Sequence, residues 1–252
     1  MKKLITLVVA VLALSASTAM AQSGLGLYWN DCSPASGGSG ASSMTWACNA
    51  NTGAGFALFT SVIVPTAMSK FTATSAIVDV TIESGTLPDW WQTNAGQCRP
   101  NAITMSFDPV VLAGSCPDIW QGSILLSVFA AQQGTNVQGH AANTVRLNGG
   151  AAIPAGSEIN VPADGSELFV SKVNISRTKS TGVGSCAGCD LAACLVLNEC
   201  FLQQPAGMGD YRVVNEAPGR SRWVTWNGSP TNCPDGTPTQ NRTWGAVKNL
   251  YR

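Results

Sequence analysis

The clearest pattern along the chain runs from Ala76 to Glu83, where Ala76, Val78, Val80 and Ile82 alternate with Ile77, Asp79, Thr81 and Glu83. Successive side chains of a strand point to opposite faces, so this period of two predicts a half-buried β-strand with one apolar and one mostly polar face. Weaker versions of the pattern recur at Gly24 to Asn30, Phe56 to Val64, Ile103-Met105-Phe107 and Ile124-Leu126-Val128. Others follow at Thr144 to Leu147, Leu168 to Ile175, Cys194 to Leu202, Tyr211 to Val214 and Arg222 to Trp226. Turn-forming residues separate them, among them Pro65, Gly85, Asp108-Pro109, Gly149-Gly150, Asp164-Gly165, Pro205 and Gly219. No segment before residue 240 carries a helical stripe, so nothing is available to make parallel crossovers. The pattern therefore predicts an all-β protein, an antiparallel β-sandwich of about nine or ten strands, jelly-roll-like or immunoglobulin-like.

The two ends break this pattern. Lys2 and Lys3 precede an apolar run from Leu4 to Leu14, and small residues lead to Ala19-Met20-Ala21. This is the layout of a secretory signal peptide cleaved near Ala21, over positions 1–21. The apolar run is too short to span a bilayer. Positions 22–226 are then the sandwich domain. Positions 227–240, with three prolines and Cys233, read as a tether. Positions 241–252 read as a short helix capped by Thr243, with Trp244, Val247 and Tyr251 at i, i+3 and i+7. So short a helix is marginal alone, and its stripe needs a docking surface on the sandwich or on a partner.

Charge narrows the choice of partners. The chain carries 14 basic and 14 acidic side chains, and loss of Lys2 and Lys3 leaves 14 − 2 = 12 against 14, a formal charge of −2. No basic footprint for nucleic acid exists, and none for anionic membrane. With one histidine, His140, a histidine-rich metal site is excluded by count. P-loop, dinucleotide fingerprint and G-x-S-x-G elbow do not occur, so no metal, cofactor or recognised catalytic set is expected.

Nine cysteines then matter, four of them within the fifteen residues from Cys186 to Cys200. In the oxidising compartment implied by the leader they predict disulfides rather than zinc. Position along the chain favours two local pairs, Cys32 with Cys48 and Cys98 with Cys116. Cys186, Cys189, Cys194 and Cys233 supply two more. Cys200 is then the odd thiol, buried mid-strand as a small apolar residue, or else a link between chains of a homo-oligomer.

Two similar pieces, Pro88-Asp89-Trp90-Trp91-Gln92 and Pro117-Asp118-Ile119-Trp120-Gln121, lie just outside Cys98 and Cys116. A bridge between those cysteines would draw the pieces together. Trp90, Trp91 and Trp120 would then offer stacking faces to a sugar, and Asp89 and Asp118 the two carboxylates that glycoside hydrolysis needs. The plainer reading has each aspartate holding a turn and each tryptophan packed on the sandwich.

Taken together, the opening Tyr28-Trp29-Asn30-Asp31-Cys32, the pieces Leu87-Pro88-Asp89-Trp90-Trp91 and Trp120-Gln121-Gly122, the Cys186 cluster and the close from Asn241 to Arg252 resemble a group of uncharacterised exported bacterial proteins. The resemblance spans most of the mature chain and implies export. It brings no activity with it. The expectation is an exported, non-catalytic binding or surface-assembly protein, secreted, periplasmic or at the cell surface, with a glycan or cell-surface partner. The alternative is a secreted carbohydrate-binding or carbohydrate-active protein that uses the Asp-Trp pieces.

Overall fold

A computed structural model describes residues 23–109, 115–123, 126–134, 140–228 and Cys233. The expected leader, most of the tether, and Trp244, Val247 and Tyr251 lie outside the described residues. The strands are β1 (Gly24–Trp29), β2 (Ser43–Met44), β3 (Phe56–Ile63), β4 (Met68–Phe71), β5 (Ala73–Ile82), β6 (Ile103–Ser106), β7 (Leu126–Gln133), β8 (Thr144–Ala152), β9 (Ile159–Val161), β10 (Leu168–Ile175), β11 (Ala193–Gln203), β12 (Tyr211–Val213) and β13 (Trp223–Trp226). Two 3-10 turns, Pro34–Ser36 and Asp89–Trp91, lie between the strands.

The strands form a sandwich. A smaller sheet has the order β1-β3-β10-β6, and a larger one has the order β2-β13-β11-β5-β8-β7, with β12 also paired to β11. All of these pairings are antiparallel except β2 with β13. The alternation read in β5 is realised: Ala76, Val78, Val80 and Ile82 are buried, while Ile77 and Thr81 on the other side are only partly covered. Leu25, Leu27 and Trp29 of β1, Leu58 and Val62 of β3, and Val173 and Ile175 of β10 share one core with them. Each such aliphatic side chain contributes about 1.5–3 kcal/mol on burial. Strands β2, β4 and β9, of two, four and three residues, are too short to display a clear period of two in the sequence.

The two outer faces differ. On the smaller sheet, Phe59 and Phe169 form a second apolar cluster with Cys32 and Cys116, so disulfide-pinned loops cover that side. On the larger sheet, Ala73, Ser75, Ile77, Leu126, Val128, Ala130, Asn148 and Ala152 are partly or fully exposed.

All four disulfides join segments far apart in sequence: Cys32–Cys116, Cys48–Cys189, Cys98–Cys186 and Cys194–Cys233. The expected local pairs Cys32–Cys48 and Cys98–Cys116 are therefore replaced. Cys32 leaves β1 under the loop that carries Cys116, whereas Cys48 and Cys98 both reach the Cys186-Ala187-Gly188-Cys189 corner, which gathers two bridges. Cys200 is a free thiol, buried in β11, and burial pushes its pKa well above the ordinary value.

Candidate functional site

The Asp-Trp pieces come first. The turn Asp89–Trp91 is seated on the cysteine corner: the Trp90 amide donates to the Ala187 carbonyl at 2.9 Å. Gly188, with φ +98°, lies so close to Pro88 that a Cβ there would fall 2.3 Å from the proline Cβ, so the corner requires glycine twice over. Trp90 and Trp91 are fully buried. Trp90 stacks on Trp226 at 5.3 Å, Trp91 meets Trp226 edge-on at 5.9 Å, and Trp29, Trp46 and Phe56 complete a box around that ring.

Trp120 is also fully buried, but elsewhere, against Phe71 and Phe107, with Nε1 donating to the Val170 carbonyl at 3.1 Å. Asp118 accepts from the amides of Trp120 at 2.8 Å and Gly122 at 2.9 Å. Asp89 accepts from the Gln92 side chain at 3.3 Å. Each aspartate thus serves its own turn, and each tryptophan keeps its faces inside. The Cys98–Cys116 bridge that was to bring the pieces together does not form, because Cys98 is bonded to Cys186 and Cys116 to Cys32. Three indoles with no solvent-facing ring offer a sugar nothing to stack on.

A different constellation forms on the outer face of the larger sheet. Asp79 of β5 lies opposite Arg146 of β8, which donates to both carboxylate oxygens at 2.8 Å through Nε and Nη2. Asn198 Nδ2 donates to the same carboxylate at 2.8 Å, and His140 Nδ1 lies 3.7 Å from it. Asn198 reaches Asp79 because β11 carries a bulge between Leu197 and Glu199, which leaves the asparagine out of register and free to turn toward β5. The hydrogen bond to Asp79 raises the pKa of Arg146 above its usual value. Although it lies on the outer face, Asp79 is only 7% exposed. Arg146, Asn198 and His140 together roof the carboxylate.

Beyond this balanced charge cluster the same face becomes apolar. One cross-strand row runs Phe201, Ser75, Gly150, Val128, and the next runs Gln203, Ala73, Ala152, Leu126. Small residues occupy the two middle strands, with larger side chains on the flanks. The Arg212 guanidinium, paired with Glu199, sits 5.2 Å from the Phe201 ring.

In the sequence Asp79 lies on a polar strand face, and no local pattern links it to Arg146, Asn198 and His140, which converge on it only through the sheet order. The signal present in the sequence is an acid in the middle of the strand's polar face, flanked by Ile77 and Thr81. His140, the single histidine of the chain, belongs to the cluster.

No protein-family model and no curated protein matches the sequence. Among solved structures, the chain is similar to a cohesin module from a family 33 glycoside hydrolase of Clostridium perfringens, at 12% identity and a TM-score of 0.34 over 82% of this chain and 98% of that one. It is also similar to the second type II cohesin module of the cellulosomal adaptor ScaA scaffoldin of Acetivibrio cellulolyticus, at 6% identity and a TM-score of 0.34 over 83% of this chain and 98% of that one.

Proposed function

We propose that this is an exported, non-catalytic binding or assembly protein of the cell exterior, which engages a macromolecular partner through the outer face of its larger sheet. The observation that carries the reading is the asymmetry of the sandwich: disulfide-pinned loops close one side, while the other presents bare rows from Phe201 to Val128 and Gln203 to Leu126 beside the Asp79 cluster. Flat surfaces of this kind suit macromolecules, whereas small ligands are held in concave sites. Arginine and aromatic side chains at such a face are the types that carry interface energy, and Arg146 and Phe201 occupy those places. Four disulfides suit an oxidising exterior.

The test is retention of the labelled, oxidised protein on washed cells of the source organism, beside a Ser75→Arg, Ala152→Glu double variant. A glycan array run in parallel separates a glycan partner from a protein one. Retention that the variant loses while its unfolding midpoint is unchanged supports the reading. Equal retention of both proteins counts against it, as does turnover of a polysaccharide that Asp79→Asn abolishes.

A further inference from the structure

We infer that β7 is an assembly edge, along which a second copy of this chain adds its own β7 in antiparallel, two-fold fashion. This goes beyond the proposed role of the outer face, because it concerns the free edge of the same sheet.

Free sheet edges template pairing, and proteins that stay apart blunt them with charges, prolines, bulges, brevity or cover. Among the described residues the two main sheets end in four strands, β1, β6, β2 and β7, and three of these edges are blunted. The outer edge of β1 is covered by backbone bonds from Leu25 to Asn215, Leu27 to Ser221 and Trp29 to Ala41. β2 has two residues and β6 has four. The remaining edge, β7, has eight residues, Leu126 to Gln133, paired to β8 without a register shift. Among the described residues nothing pairs with its other side.

Its composition points to the occupant. Leu-Ser-Val-Phe-Ala-Ala-Gln-Gln contains no ionisable side chain and no proline, and its outward residues Leu126 and Val128 are 77% and 75% exposed. A partner strand must be equally neutral and apolar along its length, and a second β7 is such a strand. In an antiparallel register centred on Phe129, Val128 faces Ala130 of the second copy and Leu126 faces Gln132 of the second copy. Large side chains then meet smaller or flexible ones, and no like charges meet in any register. A two-fold pairing uses the same edge of both copies, so assembly closes at the dimer.

The experiment is sedimentation velocity on the oxidised mature chain over a concentration series, with Val128→Lys and Leu126→Lys as separate variants. Both positions are exposed, so a lysine is tolerated by the fold, which the thermal midpoint verifies. A wild-type dimer whose dissociation constant rises about tenfold or more in either lysine variant is the expected result. Disulfide cross-linking of a Val128→Cys, Ala130→Cys double variant is expected to trap a covalent dimer on non-reducing gels. A wild-type protein that is monomeric at every concentration overturns the inference, as does a dimer indifferent to both lysines. Cell retention separates the two readings: a dimer that cells do not retain counts against the partner face alone, and a retained monomer counts against the β7 edge alone.

Discussion

The guanidinium of Arg99 lies 3.6 Å from the centre of the Trp90 ring, and its hydrogen bonds go to the backbone carbonyls of Trp90, Thr178 and Ser176. Arg99 is 1% exposed, and burial pulls its pKa down to about 9, which leaves it charged at neutral pH. One cation thus fastens the Asp89–Trp91 turn to the chain leaving β10, beside the Cys98–Cys186 bridge. Arg99→Ala strands three carbonyls at about 1 kcal/mol or more each, so a loss of about 3 kcal/mol or more is expected in denaturant unfolding. Arg99→Lys keeps the charge but cannot fork, and is expected to recover less than half of that loss. A lysine variant as stable as wild type would show that the fork is immaterial.

Glu167 supplies the corresponding anion on the other face. Its carboxylate is fully buried, accepts from the hydroxyls of Ser36 and Ser61, and pairs with Arg220 at 3.1 Å. Glu167→Ala leaves Arg220 unpaired, with an expected cost of about 3–5 kcal/mol. The Glu167→Ala, Arg220→Ala double variant should lose less than the sum of the two single changes. Gly26 belongs to this arrangement, since a Cβ there would lie 2.4 Å from the Ser61 hydroxyl and 2.8 Å from the Glu167 carboxylate. Gly26→Ala is therefore expected to lower the unfolding midpoint where most exposed glycine changes do not.

Asp31 ties stability to pH. Burial works to raise its pKa, but the amides of Ser115, Ser39 and Cys32 and the Ser115 hydroxyl outweigh it and hold the carboxyl well below its ordinary value of 3.8. With the folded pKa depressed, the unfolded chain binds the proton first. This contribution is present above the unfolded pKa and is lost as pH falls through the folded one. Unfolding curves taken at steps downward from about pH 5 should show Asp31→Asn with a shallower loss than wild type. Parallel slopes for the two proteins would remove Asp31 from the account.

The disulfide pattern is directly checkable. Proteolysis without reduction, followed by mass mapping, should yield Cys48 joined to Cys189 and Cys98 joined to Cys186. A peptide joining Cys98 to Cys116 would overturn the pairing described here. The bridges Cys48–Cys189 and Cys98–Cys186 span 141 and 88 positions. In the chain-entropy picture, removing either costs about 4–5 kcal/mol. Double serine variants in denaturant are the measurement.

Core indoles give a last contrast. Trp120→Ala should cost about 3–5 kcal/mol, the penalty of a large core cavity, because its ring is buried against Phe71 and Phe107. The cost is read by denaturant unfolding. A surface platform for sugars would instead lose binding with little change in stability.

The sequence by itself determined the all-β class and most of the strands. A strand's period of two is a local property, visible in residues such as Ala76 to Ile82 whatever they pack against. It also marked Cys200 as the odd thiol, because an apolar strand passes through that position. The tertiary structure decided the rest. Whether Cys98 meets Cys116 or Cys186 depends on how the loops cross the sandwich, and alternation carries no information about crossing. Burial of Trp90, Trp91 and Trp120 depends on what covers each turn, since an indole beside an aspartate looks the same on a surface as in a core. Asp79, Arg146, Asn198 and His140 converge, and Leu126 and Val128 face outward, because sheet order and one bulge set which strands are neighbours and which edge is last. Those are relations between distant segments, and only the assembled sheets define them.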